Sequence, residues 1–364
     1  MISLEDDMGF TRKVVLFVLS FAAAFAFTVG PVQAKEYKLT VVAGHPPIFL
    51  WVSMARDFFI PEVDRRLAEA GGEHKITWNQ AYGGTVAKIG GVLEALDEGI
   101  ADMGFVGTLF EAPKMPLHNV SYMTPFGTRN IFDVVDTVTE LQGRIPEFAE
   151  EWEKHNQVYL GGAGLDTYGV LTDFPVKTVD DIDGHKLAAP GPAANWIKGT
   201  GAVAVAGNLN TYYNDIKTGV YEGTLTFMTA AAAGKLHEVA PYVCMVNFGA
   251  QFAGGLSINK DVFDSFPSEV QKIFKEVGAE YARRLAQAQS DRADKAMEAM
   301  KAGGAKVTVL SDEERRRWAN KLPNVPMEWA ETMDQKGLPG TETVEGFLDG
   351  LRARGADLPR AWDK

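Results

Sequence analysis

The sequence predicts an α/β fold in two lobes joined without a linker. Three observations carry this. Short β-like runs alternate with helical patterns from Lys38 to Val106, and the theme resumes from Val158 to Asn259. A nearly unbroken helical pattern then runs from Pro267 to about Ala302. At 1.5 Å per residue it makes a rod of roughly 50 Å, longer than one small domain, so it is expected to cross two. No low-complexity stretch separates the halves, so the chain is expected to pass between them more than once.

The elements follow in order. Arg12 and Lys13 precede an apolar run to Val29, then Gly30-Pro31 and the small-x-small site Val32-Gln33-Ala34. This is the order of a secretory signal peptide, with residues 1–34 removed after Ala34. The acidic Glu5-Asp6-Asp7 does not suit a signal peptide, and Met8 fits better as the start. Lys38 to Ala43 reads as a strand, and Phe58 to Ala70 as a helix with apolar positions 59, 60, 63 and 67. Lys75 to Ala81 alternates as a strand does. Val86 to Gly99 reads as a helix closed by a C-cap glycine, and Ala101 to Val106 as a buried strand. This β-α-β-α-β order predicts a parallel or mixed sheet with helices on its faces. Later strands are Val158 to Gly164, Gly169 to Thr172, His185 to Ala189, Ala202 to Ala206, Gly223 to Met228, Val243 to Phe248 and Gly254 to Asn259, with a helix over Asn210 to Tyr221. The long helix carries Val270, Ile273, Phe274, Val277, Tyr281, Leu285 and Ala288 as one stripe and ends at Gly303-Gly304. A strand over Lys306 to Leu310 leads to Ser311-Asp312-Glu313-Glu314, a capping box. The tail from Pro323 to Lys364 reads as short helices.

Composition narrows the function. A hydrophobic share of 46% and a charged share of 23% exclude disorder. A net charge of -12 argues against nucleic acid, which needs clustered Lys and Arg. Cys244 is the only cysteine, so neither an intrachain disulfide nor a Cys-rich metal site is expected. His237-Glu238-Val239-Ala240-Pro241 starts like a zinc-protease helix but lacks the second histidine. Gly161-Gly162-Ala163-Gly164 leads to another strand, not to the helix a dinucleotide loop requires. No catalytic, metal or cofactor residue is expected.

Several blocks resemble a known family. Gly83-Gly84 with Leu93 to Met103 resembles a G-G…a-l-x-x-G-x-x-D-M segment, and Thr124-Pro125-Phe126 an L-P-F block. Val179 to Lys186 resembles D-L-x-G-x-K, and Tyr212 to Gly223 resembles Y-x-A-L-Q-x-G-V-V-D-G, followed by His237 to Ala240. In order and spacing these blocks, over about Lys38 to Leu322, resemble the DctP-type substrate-binding subunit of tripartite ATP-independent periplasmic (TRAP) transporters. The resemblance implies a two-lobed periplasmic binding protein, type II-like, with hinge strands and a long domain-spanning helix. It implies lobe I over residues 35–163 and about 250–285, and lobe II over 164–249 and about 286–322, with 323–364 a helical tail. It also implies a monomeric, periplasmic carrier that closes on a small ligand and delivers it to the small and large membrane permease subunits. A periplasmic sensor for a membrane receptor, and a secreted α/β enzyme, are the rival readings.

One departure matters. The family's D-L-x-G-x-K-x-R ends in an arginine that grips the ligand carboxylate, and this chain has Ala188 there. A simple dicarboxylate is therefore not expected. Three readings stay open: another base such as Arg129 or Lys88 takes over; the ligand is neutral, or aromatic and bulky; or it is cationic and held by Asp166 and aromatic faces. Open α/β sheets bind ligands at the carboxyl ends of their strands. That rule selects His45, Phe49, Trp51, Tyr82, Gly83, Phe105, Val106 and Thr108 on one lobe. On the other it selects Tyr168, Ala188, Pro190, Asn210, Tyr212, Thr226 and Phe227. Gly83-Gly84, before the helix expected from Val86, offers either free N–H groups for an anion or a plain tight turn.

Overall fold

The computed structural model describes residues 35–364, so the signal segment and its cleavage after Ala34 lie outside the described residues. Two sheets organise the rest. The first joins β1 (Lys35–Ala43), β2 (His74–Ala81), β3 (Met103–Gly107), β4 (Gln157–Leu165) and β10 (Gln251–Asn259) in the order β2-β1-β3-β10-β4. β1 is parallel to β2 and β3, whereas β10 runs antiparallel to β3 and β4. The second sheet joins β5 (Tyr168–Thr172), β6 (Lys186–Ala188), β7 (Val203–Val205), β8 (Gly223–Phe227), β9 (Tyr242–Met245) and β11 (Lys306–Val309) in the order β11-β9-β5-β8-β6-β7. The molecule is thus a two-lobed α/β fold of two mixed sheets.

Two expected helices come out differently. Helix α1 occupies residues 50–69, starting eight residues before the expected Phe58. Its middle, Ala55–Phe59, has π winding. The local change of pitch leaves the Trp51 carbonyl for the Tyr281 hydroxyl, which donates to it at 2.8 Å. Phe49 and Trp51 therefore stand at a helix start rather than in a free loop. The helix expected over Val86 to Gly99 shrinks to α2 (Val92–Asp97). Gly83, Gly84 and Gly90 all adopt positive φ, which interrupts helical winding, and residues 83–91 fold as turns against the end of β1. Gly99, at φ 68°, closes α2 as expected.

Helices α3 (Ile131–Arg144) and α4 (Glu147–Glu153) cover the first sheet, and α5 (Tyr212–Lys217) and α6 (Met228–Ala233) belong to the second. The long helix α7 (Ser268–Ala302) has 35 residues, with Pro267 at its N-cap. It lies against β4 so closely that a Cβ on Gly161 would sit 2.1 Å from the Gly278 carbonyl oxygen. Its far end, at Met300, joins a cluster with Leu171, Tyr212 and Val243 of the second sheet's side. The chain crosses between the sheets at residues 166–167, at 246–250 and along α7. Ser311 caps α8 (Asp312–Lys321) by accepting from the Glu314 N–H. α9 (Val325–Gln335) and α10 (Gly340–Ala353) follow. This tail is part of the main core: Trp329, Phe347, Leu351 and Trp362 share one buried cluster with Phe126, Tyr168 and Phe248.

Candidate functional site

The carboxyl ends of β1 and β3 face those of β6 and β8, and a narrow slot lies between them. Its free interior is only about 30 Å³, room for roughly one or two waters while the lobes are shut. His45, Trp51, Phe105, Tyr168, Pro190, Tyr212, Thr226 and Phe227 line it, eight residues that the strand-end rule selects. Gly107, Leu109, Phe110, Leu165, Asn208, Leu209 and Ala253 complete the lining. Gly107, Leu109 and Phe110 continue directly from β3, so the same rule carried a few residues further finds them. Leu165 and Ala253 belong to the crossing strands, whose antiparallel pairing gives no strand-end signal in sequence.

The slot is an aromatic box. Trp51 stacks on Phe49 at 5.1 Å and 7°, and meets His45 edge-on at 5.1 Å and 87°. It reaches across the lobes to Phe227, with ring centroids 6.0 Å apart. Tyr168 packs on Phe227 at 5.1 Å, and its hydroxyl shares a 2.8 Å hydrogen bond with that of Tyr122. Two polar groups stay open: the Trp51 indole N–H, a donor, and His45 Nε2, donor or acceptor according to the tautomer, are buried with no partner among the described residues. Buried polar atoms normally find partners, so these two mark where a ligand's polar atoms would be met.

The lobes are closed over this slot. Asn210 Nδ2 donates to the Gly44 carbonyl at 3.0 Å, linking one lobe to the other. Gly191 has φ 49°, and a Cβ there would sit 2.2 Å from the Leu109 carbonyl oxygen of the opposite lobe. Only a residue without a side chain lets the backbones come this near.

None of the fifteen lining residues is Arg, Lys, Asp or Glu. Burial lowers the His45 pKa to about 3, so its ring is neutral at physiological pH. The cations proposed to replace the family arginine stand elsewhere: Lys88 and Arg129 are exposed and line no part of the slot. Asp166 is buried, and burial pushes its carboxyl up to about 6 despite hydrogen bonds from the Thr229 N–H and hydroxyl. Those bonds engage both of its oxygens, and it does not line the slot.

Seven selected residues lie outside the slot. Val106 is wholly buried with Val42 and Val92. Ala188 is fully buried in the cluster of Tyr212 and Leu171, one layer behind the lining. Phe49 backs Trp51. Asn210 is spent on the clasp to Gly44. Thr108 is wholly buried beside Gly254, and Tyr82 packs at the edge of the first core. Gly83 follows the tight-turn alternative rather than the anion one. Its N–H donates to the His45 carbonyl at 3.0 Å and that of Gly84 to the Ala43 carbonyl at 3.1 Å, while the helix begins only at Val92. These donors are consumed by a tight turn.

Among the described residues no group of three or more His, Cys, Asp or Glu could hold a metal ion. Burial pushes the Cys244 thiol up to about 12, which keeps it protonated and poorly nucleophilic.

The family model for bacterial extracellular solute-binding proteins, family 7 (DctP), matches residues 66–332. A solute-binding protein of Sulfitobacter sp. is 30% identical over 179 residues, 48% of this chain and 52% of that protein, so the match spans about half of its length. The C4-dicarboxylate-binding periplasmic protein DctP of Rhodobacter capsulatus is 30% identical over 258 residues, 64% of this chain and 72% of that protein. Among solved structures, a TRAP solute-binding protein of Rhodoferax ferrireducens in complex with copurified benzoate superposes with TM-score 0.77 at 17% identity. The match covers 87% of this chain and 98% of that one.

Proposed function

Because this chain belongs to bacterial extracellular solute-binding protein family 7, we propose that it is a periplasmic receptor: it captures a small organic solute between its lobes and delivers it to a TRAP-type permease. In this reading it performs no chemistry and works as a monomer, after cleavage behind Ala34. The lobes turn on the crossings at 166–167 and 246–250 and on α7. A solute that touches both lobes at once binds the closed form better than the open one, so it shifts the population toward closure. Trp51 and Phe227 then meet across the cleft, and the closed lobes present one composite face to the permease.

The uncharged aromatic lining carries the assignment of ligand class. It supports a solute whose buried part is flat, apolar and uncharged, with an acceptor placed toward Trp51 Nε1 and a polar atom toward His45 Nε2. Aromatic walls favour such a body through stacking and edge contacts, about 0.5–1.5 kcal/mol per ring pair beyond area burial. The relative from Rhodobacter capsulatus is named for a C4-dicarboxylate, and the Rhodoferax structure holds benzoate. With no cation in the slot, a C4-dicarboxylate is the poorer fit here and a ring the better one.

Native mass spectrometry of the purified protein tests this reading. One unchanged small molecule should be recovered per chain. Adding it back at about 100-fold over Kd should stabilise the fold by roughly 2.7 kcal/mol, read as a rise in Tm. Recovery of a chemically altered product would replace the receptor reading with an enzymatic one. A simple dicarboxylate as the recovered ligand would overturn the assignment of ligand class.

A further inference from the structure

On the other side of the Phe49–Trp51 pair lies a second groove of about 240 Å³. Its three walls are residues 48–51 of the first lobe, the alanine-rich α6 of the second, and the α7 face bearing Gln289, Arg292, Lys295 and Ala296. Steps of three residues put Gln289, Arg292 and Lys295 on neighbouring positions of one helix face. Small side chains on α6 keep the opposite wall low. Ile48 stands 58% exposed at the lip, an apolar side chain left facing the groove.

The polar groups of this groove are unspent. Gln289 is fully buried; its Oε1 lies 2.9 Å from the Thr229 hydroxyl, whose single proton goes to Asp166, and its Nε2 has no partner among the described residues. The ion pairs along α7 are Lys272–Glu276, Lys301–Glu298 and those of Arg66 with Glu276 and Glu280. Neither Arg292 nor Lys295 takes part in one among the described residues. Of their acidic neighbours on α7, Asp291 accepts from Gln287 at 2.7 Å, Glu298 pairs with Lys301, and Asp294 forms no ion pair among the described residues.

We propose that this groove is a second binding site, for an organic monocarboxylate with a short apolar body. The guanidinium of Arg292 and the ammonium of Lys295 meet the carboxylate at the rim, the fork of arginine matching its two oxygens. Gln289 Nε2 supplies a donor from the floor. Phe49 and Ile48 cover the apolar body. The site is distinct from the aromatic slot, because the Phe49–Trp51 stack forms the wall between them. Its three walls come from both lobes and from the helix that spans them, so an occupant contacts the closed arrangement best. Binding there is coupled to closure, and by reciprocity it tightens binding of the slot's own solute.

Benzoate, with benzyl alcohol as its uncharged counterpart, is the probe. Calorimetry on the full chain, still loaded with whatever solute it co-purifies with, compares wild type, the double variant R292A/K295A and Gln289→Leu. Arg292 and Lys295 are exposed, so their variants should fold normally. Benzoate is expected to bind wild type with a Kd below about 10 mM, and at least tenfold more weakly in both variants, a loss of about 1.4 kcal/mol. Benzyl alcohol should change less than twofold, and native mass spectrometry should show benzoate added to the loaded protein. Three results would overturn the proposal: no benzoate binding to wild type, equal affinity in the double variant, or one-for-one displacement of the slot solute. If no solute co-purifies, the difference in benzoate affinity between wild type and R292A/K295A still reads the groove, because neither residue lines the slot.

Discussion

His45 is the residue through which acid acts most directly on the slot. In the unfolded chain it takes up a proton below about pH 6.5, whereas burial holds it neutral in the fold down to about 3. The unfolded state therefore binds more protons between these values, and stability falls as pH drops, by up to about 1.4 kcal/mol per unit. Asp166 has the opposite sign. Its folded carboxyl keeps a proton up to about 6, so its contribution is present in acid and lost as pH rises from about 4 through 6. The two offset each other in that window, and substitution separates them. His45→Phe should flatten the fall in Tm from pH 7.5 to pH 5, and Asp166→Asn should steepen it; an unchanged profile in either variant removes that residue from the account. Ala188→Arg is the second test at this scale. The residue is wholly buried against the environment of Gly207 and Tyr212, so arginine brings both overpacking and an unpaired charge. A loss of roughly 3–5 kcal/mol in urea unfolding is expected. A stable variant that gains affinity for a dicarboxylate would instead place position 188 in the slot. The missing arginine was legible in sequence, but its distance from the lining was not. Chain position fixes which strand end a residue follows, not the depth at which the next layer of side chains intervenes.

At the scale of elements, the strands and the long helix were legible because their signals are local. Val41, Val42 and Ala43 bury one end of β1, and the apolar stripe of α7 matches the buried residues from Val270 to Leu285. Helix α2 was not, because glycines at 83, 84 and 90 compete with an otherwise helical pattern and the turn packs against β1. The early start of α1 was missed for a related reason: its π turn shifts the phase of the apolar stripe, so residues 50–55 do not fall on the stripe read from Phe58 onward. The turn at Gly191 offers a test of closure. Gly191→Ala places a methyl against the Leu109 carbonyl only when the lobes are shut. Affinity for the captured solute should fall at least tenfold. The ligand-free Tm should move by only a few degrees, the cost of about 1 kcal/mol for a left-handed alanine. Equal affinity in this variant would mean that the lobes bind without closing to this contact.

For the whole molecule, the crossings and α8 decide how the lobes are tied. The Trp318 indole donates to the Trp196 carbonyl at 2.8 Å, and the Trp196 indole donates to the Tyr122 carbonyl at 2.7 Å. Tyr122 stacks on Trp196 and shares a hydrogen bond with Tyr168. This chain of contacts runs from α8 through Trp196 of the second lobe to Tyr122 of the first, beside the crossings at 166–167 and 246–250. Small-angle scattering should show a smaller radius of gyration with the solute than without it, and Gly191→Ala should abolish that difference; identical radii in wild type would sink hinge closure as the mechanism. The sequence by itself determined the class of fold, the two sets of strands, the spanning helix, the family blocks and the alanine at 188 where the family pattern has arginine. Each is set by periodicity or by residue type at a fixed spacing, which are properties of neighbours in the chain. Only the tertiary structure decided that the slot carries no charge, that Ala188 lies behind it, and that Gln289, Arg292 and Lys295 face a groove of their own. Those facts depend on which surfaces of distant segments meet, and with what depth and gap, and such contacts are fixed by packing rather than by the order of residues.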